Sequence, residues 1–404
     1  MESKIKIAFI SYEYPPDNGK GGISTYTYEI ANLLISSAFE VHVFAASKYR
    51  NQSETINNVK IHWILCDNPI DFKILVLKKF TEVKKKVNFN FIESPEINSN
   101  AELIKKEFSE IPLIVRLHAP NYVVEKYKKY YLPLSVKLRY FLGSIRRGKF
   151  DLGYWRKYKK NEDLDFQFTE LADFISAPSI WMKNWAVDNW GISTAKITVF
   201  PNPFSVDNSL ATLPIVENHQ FKTVVFYGRL NVLKGLFNLT KSMKVILKRY
   251  PDWQLKIIGD DGPGPFSVNI SMRQWMKKEF KKVSSQVEFL DGIDRSLLNQ
   301  NLINCEIILI PSLFESFSYV CKEAMLAGKA VIGSTNGGMT DMLVNNKTGI
   351  LVNPFNHKEL TEGIDYLINN PKLCKEISIN ARKDLLLKKN DDILNFYLNL
   401  RFKI

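Results

Sequence analysis

Short apolar runs alternate with longer stretches of helical spacing along almost the whole chain, and the alternation occurs twice over. Residues 5–10 (IKIAFI) form a compact apolar run, and a loop rich in Pro and Gly occupies residues 12–22. Residues 23–35 then place apolar side chains at helical intervals, and 41–45 return to strand character. Further strand-like runs fall at 59–65, 89–92, 113–117, 174–176 and 197–200. Runs this short and this apolar suit a sheet covered on both faces. Their alternation with helices predicts β-α-β units and a parallel sheet.

The second half follows the same plan. Strands are predicted at 223–227, 254–258, 287–290, 307–310 and 330–332, and helices at 236–249, 268–283 and 319–327, with helix from Pro371 to the end. A chain of 404 residues exceeds one ordinary domain. Two doubly wound α/β domains are therefore expected, at 1–205 and 206–385, with 386–404 a terminal helix that is a candidate to pack back on the first. The joint lies in the weakly periodic stretch 202–221, which is rich in Pro, Asn and Ser. Open parallel sheets bind ligands beyond the carboxyl ends of their strands, so the site is expected in the cleft between the domains.

Composition excludes several classes. No apolar stretch approaches the roughly 18 residues of a membrane-spanning helix. The start of the chain runs directly into a strand pattern without the layout of a signal peptide, which implies an intracellular, cytoplasmic protein. The four cysteines, Cys66, Cys305, Cys321 and Cys374, are scattered and read as buried thiols, not as a metal or disulfide framework. The net charge of +13 points to an anionic partner.

Two familiar phosphate loops fail on their spacing. In Gly19-Lys20-Gly21-Gly22 the lysine is followed by glycine where a P-loop requires Ser or Thr. A dinucleotide fingerprint needs glycine at position 24, which is Ser24, and an acid ending the second strand, where Ala45-Ala46-Ser47 stands. What remains is a glycine pair opening a helix, whose bare N–H groups attract phosphate. Taken alone, the loop fits a plain strand-to-helix turn equally well.

The second half is richer. Strand 223–227 runs into Gly228-Arg229-Leu230 and then Lys234-Gly235 before a helix. Two cations leaving one strand end can serve a single diphosphate and stabilise the charge of a leaving group. Two surface cations on a loop are the plain alternative. Gly259, Asp260, Asp261 and Gly262 form a second glycine cluster at the same rim. In residues 311–325, Ser318 is expected to cap a helix, leaving Glu315 in the loop and Glu323 five residues into the helix. At the helical rise per residue Glu323 sits roughly 8 Å beyond the cap, a spacing suited to the two ends of a nucleotide sugar.

These residues together resemble the retaining glycosyltransferases of family GT4, which have the GT-B fold. The resemblance runs from Gly21-Gly22 through Val115-Arg116-Leu117-His118, Gly228-Arg229 with Lys234-Gly235, Gly259 to Pro263 and Glu315 with Glu323, to Gly337-Gly338 and Gly349-Ile350-Leu351-Val352. It implies that Arg229 and Lys234 bind the donor diphosphate and Glu323 the ribose. Glu315 with Ser316, Phe317 and Ser318 would hold the transferred sugar, beside Gly259 and Asp260. Gly22 would approach the phosphate from the other domain, and His118 would touch substrate near the reacting centre. The family uses neither metal nor cofactor, and no Asp-x-Asp motif is present here. Asp341 stands where relatives usually carry Glu, and Ser318 where Gly is common.

Residues 121–165 are the part least typical of the family. Between positions 121 and 160 twelve Lys/Arg face only Glu125 and Asp151, interleaved with Tyr122, Tyr127, Tyr130, Tyr131, Tyr140, Phe141, Trp155 and Tyr158. The pattern suits the anionic inner face of a membrane. A solvated insertion that shapes the acceptor cleft is the alternative, and nucleic acid is disfavoured because no recognition module accompanies the segment. The expected function is transfer of a sugar, from a UDP-sugar by preference, to a saccharide or lipid-linked acceptor in surface polysaccharide or glycolipid synthesis. Rivals are a storage-glucan or sugar-phosphate synthase of the same fold, and a non-catalytic module that binds nucleotide sugars or glycans.

Overall fold

The computed structural model describes residues 4–19, 21–35, 39–155, 157–215, 218–264, 270–292 and 295–400. The chain divides into two compact units. The first comprises residues 1–121, 159–205 and 389–404, and the second 122–158 and 206–388. Each is assembled from separate stretches of sequence.

The first unit is built on eight strands: β1 Ile5–Ile10, β2 Phe39–Ser47, β3 Ser53–Ile56, β4 Val59–Leu65, β5 Phe91–Pro95, β6 Leu113–Arg116, β7 Phe174–Ala177 and β8 Ile197–Val199. Their order is β3-β4-β2-β1-β5-β6-β7-β8. Every pairing is parallel except β3 with β4, which is antiparallel. β1 lies near the middle, with Ile5 opposite Phe39 on one side and Ile7 opposite Phe91 on the other. The helix Gly22–Ile35 buries Tyr26, Ile30, Ala31 and Leu34 against this sheet.

Two expectations shift here. The run at 89–92 enters the sheet only at Phe91, because Phe89 turns aside to stack on Phe80 at 5.2 Å. Helix does not continue unbroken from Pro371 to the end. It stops at Leu387 and resumes as Asp391–Leu400, where the chain passes from the second unit to the first. The resumed helix sinks Ile393, Tyr397 and Leu400 into the core that holds Ile5 and Tyr26. Each such burial contributes about 1.5–3 kcal/mol.

The second unit has six strands, β9 Thr223–Tyr227, β10 Gln254–Ile258, β11 Val287–Leu290, β12 Ile307–Ile310, β13 Ala330–Ser334 and β14 Ile350–Val352. They run in the order β11-β10-β9-β12-β13-β14, all parallel. The helix Leu236–Arg249 covers the sheet with Leu236, Leu239, Met243, Ile246 and Leu247. The helix expected over 268–283 is shorter. Residues 265–269 lie outside the described residues, and a capping box between Ser271 and Gln274 starts the helix at Met272. It ends at Glu279, and a tighter 3-10 turn with non-helical backbone at Val283 follows.

The basic, aromatic insertion was expected in the first domain. Its residues 122–158 belong instead to the second unit. The reason is a set of aromatic contacts. Tyr127 stacks on Phe314 at 6.0 Å and on Phe355 at 5.8 Å, Tyr130 packs on Phe355 at 4.7 Å, and Tyr131 lies 4.4 Å from Phe237. The Tyr127 hydroxyl also accepts a hydrogen bond from Asn336 Nδ2 at 3.0 Å. Arg156 lies outside the described residues. Among the described residues no helix is long and apolar enough to cross a membrane.

Candidate functional site

In the second unit the loops leaving the carboxyl ends of β9, β10 and β12 are locked together backbone to backbone. Leu230 N–H donates to Asp260 O at 2.8 Å, and Leu313 N–H donates to Leu233 O at 2.7 Å. Gly235 has a left-handed φ of +70°, and a Cβ added there would lie 1.8 Å from Pro311 O. Glycine at that position lets the loop after β9 sit directly on the loop after β12. Gly259, at φ +148°, likewise leaves no room for a side chain, since a Cβ would lie 2.0 Å from Gly228 O. Arg273 braces this second contact by donating from Nη2 to Gly259 O at 2.8 Å.

That scaffold brings Lys234 and Glu315 into contact. Lys234 Nζ donates to Glu315 Oε2 at 2.6 Å, and Ser312 Oγ donates to the same oxygen at 3.0 Å. Their side chains keep 26% and 17% of their surface exposed, so a ligand can reach both. Glu315 is held through its backbone as well, because Gly338 N–H donates to Glu315 O at 2.7 Å and Glu315 bridges Gly337. Arg229 is exposed, and among the described residues its guanidinium has no partner. The two cations expected to share one diphosphate are thus differently engaged without a ligand: Lys234 is neutralised and Arg229 is not.

Ser318 caps the following helix, as its sequence position predicts, accepting from Cys321 N–H at 3.2 Å. Glu323 is the fifth residue of that helix, Tyr319–Leu326, and is half-buried. Phe317 is buried, with Lys322 Nζ 4.8 Å from its ring centre. Ser316 is half-buried beside Glu315, Asp260 is exposed, and Asp341 is exposed at the end of a short 3-10 turn. Asn336 joins two of these loops, donating from Nδ2 to Leu313 O at 2.5 Å and to Tyr127. No local pattern in the sequence marks Arg273, Ser312 or Asn336. Their partners are distant in the chain, or, for Ser312, unremarkable in type.

In the first unit, Gly22 opens the helix after β1, and a Cβ added to it would meet nothing within 4 Å. The room above this helix start is open. Lys20 lies outside the described residues. His118 follows β6 and is buried; its N–H and that of Ala119 donate to the Glu96 carboxylate at 2.8 and 2.7 Å. Burial, aided by the Arg116 guanidinium, pushes the His118 imidazole down to about 3, so it is neutral at neutral pH. The ring of Tyr26, from the helix that Gly22 opens, meets His118 edge to face at 5.0 Å. Tyr26, Thr27, Glu93, Ser94 and His118 line a small recess there.

Two family profiles cover most of the chain: Glycosyltransferase Family 4 over residues 20–208, and Glycosyl transferases group 1 over residues 214–384. An uncharacterised glycosyltransferase of Bacillus subtilis is 28% identical over 58% of this chain, and the match spans 62% of that relative. Among solved structures, sucrose-phosphate synthase from Thermosynechococcus elongatus superposes with a TM-score of 0.74 at 18% identity, covering 98% of each chain. Anabaena HepE, solved in complex with UDP, gives 0.63 at 17% identity over 94% of each. The chain belongs to the family 4 glycosyltransferases, and its fold is GT-B.

Proposed function

We propose that the protein is a retaining, metal-independent glycosyltransferase that moves a sugar from a nucleotide sugar to a saccharide or lipid-linked saccharide. The observation that carries this reading is the Lys234–Glu315 pair, held on a locked loop scaffold at the carboxyl end of a parallel sheet and still open to a ligand. When donor enters, Arg229 and Lys234 bind the diphosphate, and Glu315, released from Lys234, accepts hydrogen bonds from sugar hydroxyls. Glu323 takes the ribose hydroxyls. Gly259 and Asp260, with Ser316, Phe317 and Ser318, complete the donor pocket.

As the bond between the anomeric carbon and the diphosphate breaks, negative charge grows on the leaving oxygen, and fixed cations stabilise it. The acceptor hydroxyl attacks from the same face, and the departing diphosphate takes its proton. His118, uncharged, serves as a hydrogen-bonding group for a substrate hydroxyl and not as a cation. A UDP-sugar is the favoured donor, with support from HepE, a protein of the same fold solved with UDP and with UDP-glucose.

The test is thermal unfolding with UDP, GDP or ADP in the presence of EDTA. A nucleotide at about 100 times its dissociation constant adds about 2.7 kcal/mol of stability. One nucleotide should stabilise the wild type and lose that effect in Glu323→Ala. If neither nucleotides nor intact nucleotide sugars stabilise the protein, the donor-site assignment is wrong.

A further inference from the structure

We propose that the helix Leu134–Arg146, together with the turn at Phe150, is a docking face for an anionic lipid surface. This deepens the acceptor side of the proposed reaction by naming the surface on which a lipid-linked acceptor resides. The segment divides its aromatic residues between two tasks. Tyr127, Tyr130 and Tyr131 are spent on Phe314, Phe355 and Phe237, and these contacts bolt the insertion to the second unit. The helix that follows makes its aromatic contacts within the segment, Phe141 meeting Phe150 at 5.7 Å and Trp155 at 6.1 Å, and Ser144 is its one buried residue.

On this helix Leu134, Leu138, Leu142 and Ile145 are exposed to 63%, 44%, 61% and 48%, and Phe150 just beyond it to 78%. At about 100° per residue the four helical positions fall within an arc of about 80°, a single continuous ridge. The same spacing sets Lys137 on one flank of the ridge and Arg139 and Arg146 on the other, with Arg147 and Lys149 close after them. Residues 134–150 contain no acid. Among the described residues none of these five cations is paired with a carboxylate. The nearest acid in sequence, Asp151, accepts from the Tyr140 hydroxyl at 2.9 Å and from Gly153 N–H at 2.8 Å.

An apolar ridge flanked by free cations has two needs that water meets poorly and a protein surface seldom meets together. Acyl chains accept the ridge, and anionic headgroups accept the flanks. A second copy of this chain would cover the leucines but would bring five further cations against these five. Charge complementarity therefore favours the lipid.

Sedimentation with vesicles tests the proposal without reference to turnover, so its failure and that of the transferase reading are separable. The full-length protein should pellet with phosphatidylglycerol–phosphatidylcholine vesicles at low salt, bind far less to phosphatidylcholine alone, and be released in part by high salt. The Leu138→Glu/Leu142→Glu variant should lose about tenfold or more in partitioning. Its unfolding midpoint should match the wild type, because both positions are already exposed. Arg146→Ser/Arg147→Ser should lower the preference for anionic lipid. Wild type that stays in the supernatant with anionic vesicles overturns the proposal. So does a Leu138→Glu/Leu142→Glu variant that binds as tightly as wild type. A wild-type dimer that the same variant converts to monomer would assign the ridge to self-association and overturn it too.

Discussion

The hydroxyl of Tyr397 donates to Oε2 of Glu93 across 2.5 Å, although the two residues stand 304 positions apart in the chain. The other carboxylate oxygen accepts from Tyr26 at 2.6 Å, and the two tyrosine oxygens are themselves 3.2 Å apart. Arg116, fully buried, lies over the Tyr26 ring at 5.0 Å. Glu93 keeps 1% of its surface exposed, so these hydroxyls replace the water that a carboxylate otherwise requires.

Removing one donor exposes that dependence. Tyr397→Phe keeps the ring packed among Phe39 and Phe200 and deletes only the hydroxyl. It should cost about 1–3 kcal/mol, the penalty for an under-satisfied buried polar group. Urea midpoints of the two proteins check the difference, and equal midpoints would mean that Glu93 draws nothing from the terminal helix.

Gly22 separates fold from function. Its added Cβ meets no atom within 4 Å, so Gly22→Ala should leave the unfolding temperature where it was. If a donor phosphate closes on this helix start, the same methyl group obstructs it, and the KM for donor should rise. A variant with wild-type stability and wild-type KM would remove Gly22 from the site.

Lys234→Ala deletes the cation that the proposed mechanism sets against the leaving diphosphate. The expected loss in kcat is about 10²–10³-fold, the scale for one preorganised group that stabilises transition-state charge. Glu315→Gln keeps the shape of the loop while breaking the ion pair, and should raise the KM for donor while weakening turnover. Initial rates at saturating acceptor distinguish the two effects. Unchanged rates in Lys234→Ala would refute its assignment to the leaving group.

Acid should unfold this protein through its histidines as well as its carboxylates. His62 Nε2 lies 2.9 Å from His42 Nδ1, and His62 Nδ1 lies 2.8 Å from Ser53 Oγ. Burial first, and the adjoining His42 second, push His62 down to about 3. Its folded pKa is below the unfolded value of about 6.5, so the unfolded chain binds more protons between those limits. The stability it contributes is present above pH about 6.5 and is lost as pH falls toward 3. Calorimetric unfolding temperatures should fall through that window, and His62→Gln should flatten the decline. An identical slope in the variant would place the acid sensitivity elsewhere.

How much of this was legible depended on the range of the interaction. β12 is a short, wholly apolar run and β1 is interrupted only by Lys6, and a strand covered on both faces leaves that mark whatever surrounds it. β3, with the sequence SETI and mostly exposed, carries no alternation to read. Ser318 as a helix cap was readable because its partner is three residues away. Lys234 and Glu315 were each singled out, one for the diphosphate and one for the sugar. Their contact spans 81 residues and had no local signal. The insertion was misassigned for the same reason, since Tyr127 finds Phe314 and Phe355 far along the chain. The break after Leu387 has neither Pro nor Gly to announce it, and tertiary passage between units sets it.

The interleaving of the two units also orders their birth. A ribosome delivers the strands of the first unit early, yet the helix bearing Tyr397 emerges only after the whole of the second unit. The second unit has all of its strands once residue 352 has emerged and all of its residues at 388. The unit begun first is therefore completed after the other, with Glu93 waiting for its second hydroxyl until residue 397 has emerged. A chain stopped between residues 388 and 397 would carry a complete second unit and an unsealed first one, a defect that cellular quality control can recognise.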